Sequence, residues 1–206
     1  MKGLKICGVS DPKTLNFILN HDHKPTMIGF ITNYKKSRRF VEYERLKNLI
    51  NVDKKNISFV SVLVNPTDAL LEKIKDLNFD YYQLYDVDPV RTEQIKLKYK
   101  KKIITAITVL GKDDVIKYID YSKISDVILF DSKGYEKSES FDHGLLDDVP
   151  SEFNKMIAGN IQINDIPKFK NKDFVIDLSG ACEDKSGKKD LNKIDKLLNL
   201  FGKYET

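Results

Sequence analysis

Short apolar runs rich in isoleucine, valine and phenylalanine alternate along the chain with stretches whose apolar residues recur every third or fourth position. The runs predict strands over 3–9, 27–31, 57–64, 81–85, 102–109, 126–131, 155–159 and 174–178. The stretches between them predict helices. Pro12 follows Asp11, so a capping carboxylate and a proline at the first helical position open a helix over 12–19. Asn65-Pro66-Thr67-Asp68 leads into a helix over 69–77, with Leu70, Leu71, Ile74 and Leu77 at helical spacing. Asp88-Pro89 opens another, and 112–121 forms a further one. The last covers 191–201, where Leu191, Ile194, Leu197, Leu198 and Phe201 share one face. Between the seventh and eighth strands the pattern supports only a short turn near 163–166.

Eight strands alternating with helical or loop segments predict the α/β class, as a (β/α)8 TIM barrel forming a single domain over 1–206. The chain is short for that fold, so its connections must be short too. An open flavodoxin-like sheet with fewer strands is the alternative.

Charge changes this picture little. Lys and Arg number 35 against 31 Asp and Glu, a net charge of +4, and both signs are interspersed. A nucleic-acid-binding face would gather its basic residues into a stripe. The densest cluster is Lys98-Tyr99-Lys100-Lys101-Lys102, at a predicted helix end where cations are favourable. We therefore expect no nucleic-acid partner. No apolar run approaches the roughly twenty residues that span a bilayer, and the N-terminus has no signal-like segment. Two cysteines make no disulfide framework, so the chain reads as a reduced, cytoplasmic protein without a membrane partner. His21, His23 and His143 are too dispersed for a metal site and are expected at the surface.

In a barrel of this kind the chemistry sits at the C-terminal ends of the strands. That rule selects Cys7, Arg39, Gln83, Asp131, Gly159-Asn160 and Ser179-Gly180. Cys7 is a candidate base, because a thiolate is reachable near neutral pH; the plainer role is a small buried apolar residue. Asp131 is a candidate acid or simply a turn cap, and Arg39 a ligand clamp or a solvated loop charge.

Collinear fragments carry a further signal. Lys5-Ile6-Cys7-Gly8, Gly29-Phe30, Ser37-Arg38-Arg39-Phe40-Val41, Tyr82-Gln83-Leu84-Tyr85 and Ile128-Leu129-Phe130-Asp131 occur in that order. Ile157-Ala158-Gly159-Asn160, Asp177-Leu178-Ser179-Gly180-Ala181-Cys182-Glu183 and Gly187-Lys188-Lys189-Asp190 follow. From residue 2 to about residue 194 the chain resembles the phosphoribosylanthranilate isomerases of tryptophan biosynthesis, whose motifs run in the same order. The resemblance implies an Amadori rearrangement of N-(5′-phosphoribosyl)anthranilate, an aminoaldose, to an aminoketose, with no cofactor. It implies Asp131 as the general acid that opens the furanose ring. It implies Cys7 as the general base at the sugar's second carbon, and Arg39 as the grip on the anthranilate carboxylate. Gln83 aligns with a family glutamine, and Gly159, Asn160, Ser179, Gly180 and Ala181 with the phosphate site. The partner is then a phosphosugar, and the protein a monomer or homodimer. An interior Lys5 would need a carboxylate partner, for which Asp177 on the adjacent strand is the candidate.

The chain also departs from the family. Tyr135-Glu136-Lys137-Ser138 stands where the family has Gly-Gly-Thr-Gly, and Phe141-Asp142-His143 where it has Phe-Asp-Trp. Tyr85-Asp86 replaces His-Gly, Arg38 a proline, and Asn160 a glycine. Loss of the glycines removes close backbone approach to a substrate, and Lys133 or Lys137 would have to supply charge to a phosphate instead. Two functional readings follow: a divergent isomerase, or a re-purposed barrel binding another phosphosugar or anionic metabolite. Cys182 stands where the family has an aliphatic residue and is expected to be inert. A Cys7–Cys182 bridge is conceivable once the barrel closes but disfavoured in a reducing compartment.

Overall fold

Period-two alternation divides each strand into an inward and an outward face, and the computed structural model, which describes residues 1–132 and 141–204, shows the result as two apolar cores. The strands are β1 (Gly3–Cys7), β2 (Met27–Ile31), β3 (Ser58–Val64), β4 (Tyr81–Tyr85), β5 (Lys102–Thr108), β6 (Val127–Asp131), β7 (Lys155–Ile157) and β8 (Phe174–Leu178). All are parallel, and β8 pairs with β1, so the sheet closes into an eight-stranded barrel. The inner core joins Met27, Val60, Val62, Ile104, Val127, Leu129 and Met156. Outward residues such as Leu4, Ile6, Ile28, Phe30, Phe59 and Phe130 pack in a larger core with Leu15, Ile18, Leu71 and Leu197 of the surrounding helices. The α/β barrel class and all eight strands agree with expectation, and the open sheet is excluded by closure.

The helices begin where their capping residues stand. Asp11 opens α1 (Pro12–Asn20), Thr67 opens α3 (Asp68–Ile74), Asp88 opens α4 (Pro89–Tyr99) and Asp190 opens α7 (Leu191–Gly202), each side chain accepting from an N–H of the first turn. Lys100 ends α4 in the left-handed conformation, so the lysine cluster straddles a helix end as expected. Three connections differ from the sequence pattern. A helix α2 (Tyr43–Leu49) fills the β2–β3 connection; it is only two turns long and Glu42 makes no side-chain cap, so its start carries no signal. The helix expected over 112–121 is two single turns, α5 (Lys112–Val115) and α6 (Tyr118–Tyr121). Ile116 and Ile119 there are exposed, so no continuous apolar face holds one longer helix together. Only 3-10 turns, His143–Leu146 and Ile163–Phe169, are described between β6 and β8; the second contains Pro167, which has no N–H to sustain an α-helix.

The surface expectation for the histidines fails at two positions. His21 packs on Phe17, with a side chain only 8% exposed and Nε2 3.3 Å from Asp195. His143 lies edge-on to Phe141 and Phe169, and burial holds its pKa below the ordinary imidazole value. Ring contacts with neighbouring phenylalanines draw both imidazoles in from the surface. No helix among the described residues is long and apolar enough to cross a membrane.

Two carboxylates pin the N-terminal end of the barrel. Asp80 precedes β4 and accepts from the Phe59 N–H of β3 at 2.7 Å and from Lys54 Nζ at 2.8 Å. Asp126 precedes β6 and repeats the arrangement with the Ile103 N–H of β5 at 2.7 Å and Lys96 Nζ at 3.0 Å. In each case the backbone bond returns from the aspartate N–H to the same residue's carbonyl at 2.9 Å, which locks strand register. Asp126→Ala strands the Ile103 N–H in the strand interior. It is expected to lower unfolding free energy by about 1–3 kcal/mol, read from urea denaturation followed by circular dichroism.

Candidate active site

The ends of β1, β2, β3, β4, β6 and β8 meet at a cavity of about 480 Å³ on the C-terminal side of the barrel. Cys7, Tyr85, Asp131 and Asp177 form its floor, and the segments after β2, β7 and β8 supply Arg39, Gly159-Asn160 and Ser179-Gly180-Ala181. These elements are far apart in sequence and meet only because the barrel closes.

Cys7 is the last residue of β1 and lies opposite Gly29 of β2. A Cβ at Gly29 would sit 2.9 Å from Cys7 Sγ and 3.2 Å from Lys5 Nζ, so glycine is what lets both side chains occupy the interior. Gly8 follows with φ 77, and a Cβ there would lie 2.4 Å from Arg39 Cδ. The Arg39 stem therefore lies on bare backbone beside the thiol. Burial pushes the Cys7 thiol above its ordinary pKa, and the nearby Lys5 ammonium works against that. Cys7 and Cys182 are both free and buried, so the conceivable bridge between them is not formed.

Lys5 is fully buried one step below Cys7, and its register partner on β8 is Asp177. Nζ donates to Asp177 Oδ2 at 2.5 Å. Burial works against the ammonium, but Asp177 and Cys7 outweigh it and hold the Lys5 pKa above the usual value. The partner expected from the sequence is the partner observed.

Asp131 ends β6. Its Oδ2 accepts from the Tyr85 hydroxyl at 2.9 Å, and Tyr85 in turn accepts from Gln83 Nε2 at 3.2 Å. Asp131 Oδ1 is buried and accepts no hydrogen bond among the described residues. Burial pushes the Asp131 pKa up to about 7, with Tyr85 opposing and Asp177 reinforcing the rise. Gln83 is buried beneath this pair and is absent from the cavity wall, so it meets the site through Tyr85. Tyr85 is the residue that the sequence reading passed over as a mere departure. Its signal was position: Tyr81, Gln83 and Tyr85 alternate on one strand face, and Tyr85 is the last of them.

Arg39 reaches the cavity with its guanidinium already engaged. Nε and Nη2 donate to Glu183 Oε1 and Oε2 at 2.5 and 2.9 Å, and Lys189 Nζ joins Glu183 Oε1 at 2.8 Å. Glu183 loses solvation, yet the two cations hold its pKa below the ordinary value. Ser179 Oγ donates to the Cys7 carbonyl at 3.0 Å, so its hydroxyl is committed to the scaffold. The N–H groups of Gly159, Asn160, Gly180 and Ala181 donate to nothing among the described residues, and all four residues line the cavity. Asp86 and Asn160 take φ 56 and 51. Aspartate and asparagine thus hold the left-handed backbone that glycine would adopt freely, at a cost these two residue types bear best. The loop residues 133–140, with Lys133, Lys137 and the lost glycines, lie outside the described residues. Among the described residues no cluster of three or more metal-binding side chains occurs.

A buried thiol, a carboxyl pushed up to about 7 and N–H groups without a partner among the described residues belong to the lining of one cavity, a set that suits proton transfer on an anionic ligand. The family model described as N-(5′phosphoribosyl)anthranilate (PRA) isomerase matches residues 4–200. The N-(5′-phosphoribosyl)anthranilate isomerase of Rhizobium rhizogenes is 30% identical, with 95% of this chain and 92% of that protein covered. The phosphoribosyl anthranilate isomerase of Thermotoga maritima has a similar fold, with a TM-score of 0.85, 23% identity, and coverage of 98% of this chain and 100% of that one. A phosphoribosyl anthranilate isomerase in complex with reduced 1-(o-carboxyphenylamino)-1-deoxyribulose 5-phosphate superimposes with a TM-score of 0.83 at 22% identity, covering 98% and 100%.

The buried Lys5–Asp177 pair makes its own prediction. Asp177→Asn leaves an ammonium without its carboxylate in the barrel interior and is expected to cost about 3–5 kcal/mol in urea denaturation. The double substitution Lys5→Met with Asp177→Leu removes both charges and is expected to cost less. A double variant as unstable as the single one would assign the loss to packing.

Proposed function

The chain belongs to the N-(5′-phosphoribosyl)anthranilate isomerase family, and from that membership and the chemistry of the barrel mouth we infer that it converts the aminoaldose N-(5′-phosphoribosyl)anthranilate to the corresponding aminoketose. The observation that carries the reading is the joint presence of Cys7 and a carboxyl titrating at about 7, Asp131, on one cavity. Asp131 gives its proton to the furanose ring oxygen; the bond from that oxygen to C1 breaks as the anilino nitrogen lone pair forms C=N. Cys7 thiolate takes the proton from C2, and the C–H electrons form C1=C2 while the nitrogen recovers its pair. The Cys7 thiol returns its proton to C1, and the enol hydroxyl gives its proton to the Asp131 carboxylate, which leaves the ketone and restores both groups. Roles for the remaining groups follow from their chemistry. The free N–H groups of Gly159, Asn160, Gly180 and Ala181 suit the phosphate. Arg39 keeps Nη1 and one Nη2 hydrogen beyond its pair with Glu183, enough for the anthranilate carboxylate. No step calls for a cofactor.

The test is growth. A bacterial strain lacking its own isomerase regains growth without tryptophan on receiving this chain, and does not on receiving the Cys7→Ser or Asp131→Asn protein. With purified protein, Cys7→Ser is expected to reduce turnover by about a thousandfold or more, because a hydroxyl is a far weaker base near neutral pH. Failure of the native chain to support growth or turn over substrate at saturation would sink the reading.

The protonation states predict an unusual pH profile. The working form needs Asp131 protonated and Cys7 as thiolate, although Asp131 is the stronger acid of the two. Below about pH 7 Asp131 stays protonated while the thiolate fraction grows with pH, so kcat/KM rises. Between the two pKa values the thiolate gained and the carboxyl proton lost cancel, and the profile is flat. Above the raised Cys7 value only the loss remains, and the rate falls. Initial rates across pH should show a lower bend near 7 and an upper bend above the ordinary thiol value; a fall beginning at 7 would contradict the assignment.

A further inference from the structure

We propose that Tyr85 is a positioning residue for the acid, its hydroxyl fixing Asp131 Oδ2 as an acceptor and leaving Oδ1 as the oxygen that carries the transferable proton. The inference deepens the isomerase reading and rests on it for the identity of the reaction. Its basis is a directed chain of hydrogen bonds. Gln83 Nε2 can only donate, so the phenol oxygen is its acceptor at 3.2 Å. The phenol donates its own hydrogen to Asp131 Oδ2, 2.9 Å away. An oxygen that receives this hydrogen is the poorer place for the carboxyl's proton. Oδ1, buried with no hydrogen bond among the described residues, is the better one. The two oxygens of a carboxyl are chemically alike; here the fold makes them different.

The phenol also sets the charge balance of the acid. Asp131 is buried, and among the described residues the titratable groups acting on it are Tyr85 from β4, Lys5 from β1 and Asp177 from β8, with Cys7 on the same floor. Its register neighbour on β5 is Thr108, and β7 brings Ala158 to the cavity; neither titrates. Lys5 is held by Asp177, which spends part of its charge. Tyr85 is therefore the side-chain donor that favours the ionised carboxyl against burial, with the backbone of Ser132 acting in the same sense. The position carries a histidine in the resembling family, and an imidazole is a shorter side chain than a phenol. The longer reach belongs to this chain.

The experiment compares the native protein with Tyr85→Phe, which keeps the ring and removes the hydroxyl. Asp131 is titrated directly by carbon NMR of isotope-labelled aspartate carboxyls, with the Asp131→Asn protein identifying its resonance. The Asp131 midpoint and the lower bend of kcat/KM are both expected to rise by about one pH unit, the scale of one lost hydrogen bond to a charged group. Well below the lower bend, where Asp131 is protonated in both proteins, kcat/KM at a given pH is expected to fall about tenfold, because the carboxyl loses its fixed orientation, while affinity for a reduced product analogue stays unchanged. If the Tyr85→Phe protein fails to fold, Gln83→Leu removes the donor that orients the phenol and should move the midpoint in the same direction by less. A midpoint unchanged in the folded variant overturns the proposal. Native protein without turnover would defeat the isomerase reading, while the NMR midpoint would still decide whether Tyr85 governs Asp131.

Discussion

The ion pair between Lys5 and Asp177 lies on the seam where β8 meets β1 and the barrel becomes a closed ring. Charges are costly inside a core, and this pair is tolerated because each partner supplies what the other loses on leaving water. Its position gives it a second consequence. The ammonium sits beneath Cys7 and raises the thiolate's standing, while the carboxylate works in the opposite sense on both Cys7 and Asp131. The same contact that helps close the sheet therefore sets the charge field around Cys7 and Asp131 at one cavity.

The remainder of the site is arranged around that field in layers. From beneath the floor, Gln83 donates to Tyr85, which donates to Asp131 within it. Beside it, Gly8 and Gly29 withhold side chains where Arg39 and Cys7 need room. Above it, Glu183 gathers Arg39 and Lys189, tying the segment after β2 to the segment after β8. Ser179 adds a bond from that last segment to the Cys7 carbonyl. The loops at the mouth are thus held by polar contacts to each other, and the apolar cores hold the strands beneath them. Such a division suits an enzyme: a rigid floor keeps proton-transfer distances short, and a polar rim can exchange partners with a ligand.

The strands and the capped helices were legible in the sequence because their causes are local. An apolar run such as Met27–Ile31 or Phe174–Leu178 needs no knowledge of the rest of the chain, and Asp11, Asp88 and Asp190 cap residues only two or three positions ahead. The barrel itself was legible from the count of such units, and Cys7 and Asp131 from their places at strand ends. The helix Tyr43–Leu49 and the broken 112–121 segment were not, since what holds them is packing on neighbours that the local pattern does not name.

Only the tertiary structure decided the rest. Arg39 and Glu183 stand 144 residues apart, Lys5 and Asp177 172, and Tyr85 and Asp131 46. No periodicity reaches across such gaps. Which residues end strands is a property of the chain. Which of two carboxyl oxygens holds a proton, and whether that proton leaves near neutral pH, is a property of the closed barrel, because desolvation and hydrogen-bond direction exist only once distant side chains have shut out water together.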